Sequence, residues 1–219
     1  GAEALIRWKH PELGMVNLCD FMDVAEESNL IVPIGLWVLK AACQQLKEFQ
    51  SNPCYKHLSI SINISAKQVS QKDFVSKIIA IVTEYKIDKS KLKLELTESV
   101  LLKDMDDSVN KLRELQLFGL NFSLDNFGTG YSSLGYLKSL PISEIKIDRS
   151  FIQDIIDDDS ELIMVKTIIN LGKNFNLNIV SDGIENEFQR DILTSLGCDI
   201  YQGFYFSEPL PIEHLLHLV

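Results

Sequence analysis

Glu3, Asn63, Glu95 and Asp125 are hard oxygen donors, far apart in the chain but each in or at the end of a short β-rich run. No His or Cys accompanies them, so the set suits Mg²⁺ or Mn²⁺ rather than zinc. Two such ions sharing a carboxylate clamp the attacking and leaving oxygens of a phosphodiester. Lys146 would then hold the attacking water or neutralise charge. Arg7 offers a bidentate contact to a phosphate. Each residue also has a plainer reading. Glu95, in Leu94-Glu95-Leu96-Thr97-Glu98, can face solvent or pair with a lysine, and Asn63 can satisfy backbone. Gly128-Thr129-Gly130 is a tight turn as readily as a phosphate cradle.

The elements that must position these residues alternate. β-like runs cover Ala4 to Trp8, Leu58 to Ile64, Leu92 to Thr97, Asn121 to Leu124, Glu144 to Ile147, Asn178 to Val180 and Ile200 to Phe206. Helical patterns cover Ile34 to Phe49, Lys72 to Tyr85, Met105 to Leu117, Ser160 to Phe175 and Glu187 to Leu196. Pro33 marks the entry to the first helix. Val165, Ile168, Ile169 and Gly172 follow the spacing of a buried helix face. Asp157-Asp158-Asp159 reads as a solvated helix start. Crossovers of this length imply parallel strands. No Pro/Gly/Ser linker divides residues 1–219, which read as one domain. Nearly every β-like run carries a carboxylate or amide at or near its end. A ring of polar strand ends is how an α/β barrel builds a site at its C-terminal face, whereas an open doubly wound sheet concentrates them at one switch point. The pattern favours a TIM-like (β/α)₈ barrel.

Composition narrows the partners. With 21 Lys and Arg against 31 Asp and Glu, the 219-residue chain carries a net charge of −10, which repels a DNA duplex. At 46% hydrophobic and 24% charged it is an ordinary globular sequence. Its longest apolar run, Leu30 to Leu39, is about half of what a spanning helix needs and contains Pro33 and Gly35, so no membrane insertion of this domain is expected. The cysteines at 19, 43, 54 and 198 form no Cys-x-x-Cys pair, which fits a reducing, cytoplasmic setting.

Together the motifs become recognisable. Glu3-Ala4-Leu5-Ile6-Arg7-Trp8 is followed by Ala25-Glu26-Glu27-Ser28-Asn29-Leu30-Ile31 and Ser61-Ile62-Asn63-Ile64-Ser65. Leu94-Glu95-Leu96-Thr97-Glu98-Ser99 and Asp125-Asn126-Phe127-Gly128-Thr129-Gly130-Tyr131-Ser132-Ser133-Leu134 come next. Lys146-Ile147-Asp148-Arg149-Ser150-Phe151, Ser181-Asp182-Gly183-Ile184-Glu185 and Gln202-Gly203-Phe204 complete the series. In this order, over essentially the whole chain, the sequence resembles the EAL domain, a bacterial family that hydrolyses or binds the second messenger cyclic di-GMP. The resemblance implies a (β/α)₈-type barrel and Mg²⁺- or Mn²⁺-dependent hydrolysis of cyclic di-GMP to linear pGpG. It implies metal binding by Glu3, Asn63, Glu95, Asp125 and the position of Asn126. It gives catalytic parts to Lys146, Asp148 and Asp182, and substrate contacts to Leu5, Arg7, Glu185 and Gln202. It implies that Glu98 orders the loop from Phe127 to Leu134, which couples the site to a homodimer interface. The family carries a helix and a strand before the signature; in this chain they are missing, leaving seven of eight strands. The chain is therefore read as part of a longer, multidomain protein whose other parts can anchor it to a membrane.

Two departures fall on the second-metal side. Active members usually read Asp-Asp-Phe-Gly, where this chain reads Asp125-Asn126-Phe127-Gly128. Losing a unit charge a few Å from a dication weakens that ion by several kcal/mol at low effective dielectric, so one ion can remain where two are usual. The family usually has Glu where Asp182 stands; the shorter carboxylate is set back by one methylene, a misplacement that can cost on the order of 10²-fold in rate. The expectation is a cyclic di-GMP phosphodiesterase of reduced activity; the alternative is an impaired domain that acts as a cyclic di-GMP receptor.

Overall fold

The apolar stripe that begins at Ile31 recurs at Gly35, Leu39, Ala42, Cys43, Leu46 and Phe49, and it folds as a helix over Ile31–Ser51 with those residues buried. The helix starts one turn earlier than the sequence suggested. Pro33 lies inside its first turn, where the missing N–H has no intrahelical partner to lose. The computed structural model describes residues 1–102, 104–129 and 137–218. The chain divides into two compact units, Gly1–Asn121 and Phe122–Val219.

In the first unit, β1 (Ala2–Ala4) is followed by a hairpin of β2 (Trp8–His10) and β3 (Gly14–Val16). This corrects the single strand expected over Ala4 to Trp8. The hairpin turn closes on His10, whose Nδ1 accepts from the amides of Glu12 and Leu13, and Gly14 takes a φ of 72° that few other residues tolerate. A helix at Leu18–Glu27, absent from the sequence reading, follows the hairpin.

Next come β4 (Ile60–Asn63) and β5 (Leu92–Thr97), with the helix Phe74–Tyr85 between them. β1 pairs with β4 and β4 with β5, all parallel, in a register that sets Glu3 against Ser61 and Asn63 against Glu95. Leu94, Glu95 and Leu96 are consecutively buried, so β5 is covered on both faces, as a parallel strand under helices should be. The helix Met105–Phe118 begins at Asp104, whose carboxylate caps the amide of Asp107.

In the second unit, β6 (Asn121–Phe127), β7 (Glu144–Ile147), β8 (Asn178–Ser181) and β9 (Ile200–Tyr201) pair in parallel order. Their crossover helices include Asp159–Asn174, which buries Val165, Ile168, Ile169 and Gly172 as their spacing required. Asp158 caps it by accepting from the amide and hydroxyl of Ser160, which holds its carboxyl below its usual range. β9 is shorter than the run expected over Ile200 to Phe206. The chain turns after Gln202, where the amide of Ile184 donates to the Gln202 carbonyl and that of Tyr205 to the Ile184 carbonyl. Among the described residues no helix is long and apolar enough to cross a membrane.

Candidate functional site

In the first unit, parallel pairing brings three of the expected residues together. Asn63 ends β4 beside Glu95, and its Nδ2 donates to Glu3 Oε1 at 2.6 Å. Asn63 therefore holds a side chain of the neighbouring strand rather than serving only its own backbone. Glu95 is 2% exposed, which removes the reading of a solvent-facing carboxylate. A buried carboxylate is retained only with compensation from hydrogen bonds or positive charge. Glu98 opens the short helix Glu98–Leu102 at the end of β5. Leu5 and Arg7 lie on the segment after β1; both are exposed, and Arg7 Nη1 donates to the carbonyl of Ile6.

In the second unit the expected residues gather at the ends of β6, β7 and β8. β6 and β7 keep register at Leu124 and Ile145, then shift so that Phe127 meets Ile147. Two residues, Asp125 and Asn126, are thus set against Lys146 alone, which is a β-bulge. Asn126 takes a φ of 53°, a left-handed conformation in which Asn and Asp are enriched several-fold over other non-glycine residues. Lys146 is 2% exposed, with its Nζ 3.6 Å from Asp125 Oδ1. The turn beyond closes when the Thr129 hydroxyl donates to the Asn126 carbonyl at 2.9 Å, which favours the tight-turn reading of Gly128 and Thr129. Residues 130–134 of the expected ordering loop lie outside the described residues.

Asp148 follows β7 and caps the helix Arg149–Gln153, its Oδ1 accepting from the amide and hydroxyl of Ser150 at 2.8 and 2.6 Å. Asp182 follows β8; its amide donates to the Ile147 carbonyl and its Oδ1 accepts from the amide of Gly183. Glu185 is exposed two residues past Gly183. Gln202 follows β9, and its amide donates to the Ser181 carbonyl.

Among the described residues, no three His, Cys, Asp or Glu side chains form a group able to hold a metal ion by themselves. The donors present are carboxylate and amide oxygens, whose chemistry fits a hard divalent cation rather than zinc. Two capping boxes escaped the sequence reading, Ser65 with Gln68 and Asn186 with Gln189. The signal was there: a Ser or Asn three residues before a Gln at a helix start.

Comparison with known proteins agrees with the motif series. Over 216 residues the chain is 42% identical to the bifunctional diguanylate cyclase/cyclic di-GMP phosphodiesterase MucR of Pseudomonas aeruginosa, covering 99% of this chain and 31% of that protein. The chain spans 26–35% of the length of the curated relatives it matches. The solved MucR phosphodiesterase in complex with c-di-GMP superposes with a TM-score of 0.93 at 42% identity, over 97% of this chain and 86% of that one. The EAL enzyme Bd1971, in its cAMP- and cyclic-di-GMP-bound form, gives a TM-score of 0.93 at 33% identity, over 99% of this chain and 59% of that one. These likenesses bear out the TIM-barrel class of α/β fold. Residues 1–209 match the family model described as EAL domain, and the chain belongs to the EAL domain family.

Proposed function

We propose that the chain hydrolyses cyclic di-GMP to linear pGpG with Mg²⁺ or Mn²⁺. The observation that carries this reading is that each unit buries a charged side chain in a parallel strand: Glu95 beside Asn63 in the first, and Lys146 beside Asp125 in the second. Burying a carboxylate or an ammonium is costly, and chemistry that handles metal and phosphate charge gives each of them a use. The reading is supported by the likeness to the MucR phosphodiesterase, which was solved with cyclic di-GMP.

On this reading Glu3, Asn63, Glu95, Asp125 and the amide of Asn126 hold the cations, which supply charge neutralisation and a more acidic water. Lys146 holds the attacking water or steadies charge on the phosphate. Asp182 and Asp148 are its carboxylate partners in proton transfer and orientation. Leu5, Arg7, Glu185 and Gln202 contact the dinucleotide, and Glu98 orders the loop after β6. Water adds to phosphorus as one P–O bond to a 3′ oxygen breaks and that oxygen takes up a proton, so one diester is cut. We further assign a homodimer and a cytoplasmic setting to the working protein.

A turnover assay with Mg²⁺, Mn²⁺ and Ca²⁺ tests this. The expected result is pGpG with Mg²⁺ or Mn²⁺, and little with Ca²⁺, which takes more ligands at longer distances. No pGpG from the natural chain, but pGpG from an Asn126→Asp, Asp182→Glu double variant, would establish the receptor reading instead. No binding of cyclic di-GMP by calorimetry overturns both.

A further inference from the structure

Gln189 does more than a capping residue needs to do. It is 3% exposed, and its Oε1 accepts from the amides of Glu185 and Asn186 at 2.8 and 3.3 Å. Its Nε2 donates at 3.0 Å to the carbonyl of Ile152, a residue with no exposed surface in the helix Arg149–Gln153. In a capping box the glutamine serves its own helix start. Gln68 shows that local form: its Oε1 accepts from the amide and hydroxyl of Ser65. Gln189 instead joins two segments, the loop after β8 that carries Asp182 and Glu185, and the helix entered from Lys146 and Asp148.

We propose that Gln189 is a positioning residue, fixing the Asp182–Glu185 loop against the segment that follows Lys146. Two other anchors act on the same loop. The Asp182 amide is held by the Ile147 carbonyl, and the Ile184 amide by the Gln202 carbonyl. The Glu185 amide is held by Gln189. A loop pinned at three points presents its side chains with little freedom, and sites depend on such support to within fractions of an ångström. The roles given to Asp182, Glu185 and Lys146 rest on the cyclic di-GMP reading; the clamp itself does not.

The test uses Gln189→Met, which keeps length and the backbone bond to Asn186 but loses every side-chain hydrogen bond, and Gln189→Glu, which keeps the acceptor for Glu185 and Asn186 but loses the donor to Ile152. Asp158→Ala, which removes a helix cap elsewhere in the same unit, is the control for lost stability. In the ligand-free chain, amide exchange at Glu185 and Asn186 should quicken about tenfold in Gln189→Met, less in Gln189→Glu and not at all in Asp158→Ala. Calorimetry with cyclic di-GMP and Ca²⁺ should show Kd rising on the order of tenfold in Gln189→Met and staying level in Asp158→Ala. Unchanged exchange at Glu185 and Asn186 in both glutamine variants overturns the clamp. An equal loss of affinity in Asp158→Ala overturns the positioning role. If the natural chain binds no cyclic di-GMP, the functional reading fails, and exchange still decides the clamp. Should Gln189→Met not fold, the comparison of Gln189→Glu with the natural chain decides it.

Discussion

Lys146 Nζ stands 3.6 Å from Asp125 Oδ1, with Lys146 2% and Asp125 14% exposed, because a bulge in β6 opposes two residues to one of β7. Removing one partner of a buried ion pair leaves the other charge poorly compensated, at a cost of about 3 kcal/mol. Lys146→Met should therefore lower stability by about that amount. Adding Asp125→Asn should recover part of it, because the carboxylate no longer needs the ammonium. Urea denaturation of both single variants and the double variant measures the coupling. Strict additivity would show that the two side chains do not support each other.

Asn126 combines a chemical position with a backbone demand. At φ 53° it is left-handed, and its carbonyl accepts from the Thr129 hydroxyl to close the next turn. Asn and Asp tolerate this conformation, while an ordinary residue loses about 1 kcal/mol there. Asn126→Asp should leave the denaturation midpoint unchanged, and on the proposed reading it should tighten Mn²⁺ binding. Asn126→Ala should lose about 1 kcal/mol. Equal midpoints for alanine and asparagine would remove the backbone argument.

The sequence reached some parts of this molecule and not others for identifiable reasons. β5 and the helix Glu187–Leu196 fell where the sequence placed them, since Leu92, Leu94 and Leu96 alternate with polar residues in β5 and the helix is bounded by caps at Asn186 and Gly197. The helix Leu18–Glu27 was missed because its stripe is thin: Phe21 and Ala25 are buried, while Val24 is 60% exposed. The expected site residues were legible as polar types inside apolar strands. Two relationships were not. Asp125 meets Lys146 through a bulge, which sequence alternation does not encode, and Gln189 reaches Ile152 across 37 positions.

Gly203 is held by a close backbone approach. A Cβ built there would overlap the backbone nitrogen and carbonyl oxygen of Ile184, which are already engaged with Gln202 and Tyr205. Gly14 has a positive φ but no neighbour within 4 Å of such a Cβ. Gly14→Ala should cost about 1 kcal/mol, from conformation alone. Gly203→Ala should cost at least about 2 kcal/mol more, because the strand-end loops must separate. Thermal unfolding of the two variants compares them directly. Similar losses would mean that the Ile184 contact yields easily.

Cys43 lies wholly inside the first unit, and burial pushes its thiol from 9.0 up to about 12. The unfolded chain ionises this thiol near 9, whereas the folded chain keeps the proton until about 12. Its contribution to stability is thus complete below pH 9 and declines as pH rises from 9 toward 12. Cys43→Ala should unfold more easily at neutral pH, since it opens a small cavity, yet lose less stability than the natural chain between pH 9 and 11. Parallel slopes across that range would contradict the assignment. Labelling gives a second measure. Cys54 is exposed, while Cys198 is buried with its thiol also raised, burial outweighing its hydrogen bond with Ser181. An alkylating reagent at pH 8, followed by peptide mapping, should modify Cys54 in the folded chain and reach Cys43 and Cys198 only after denaturation. Modification of Cys43 in the folded chain, at a rate near that of Cys54, would show that the core around it opens far more often than its burial implies.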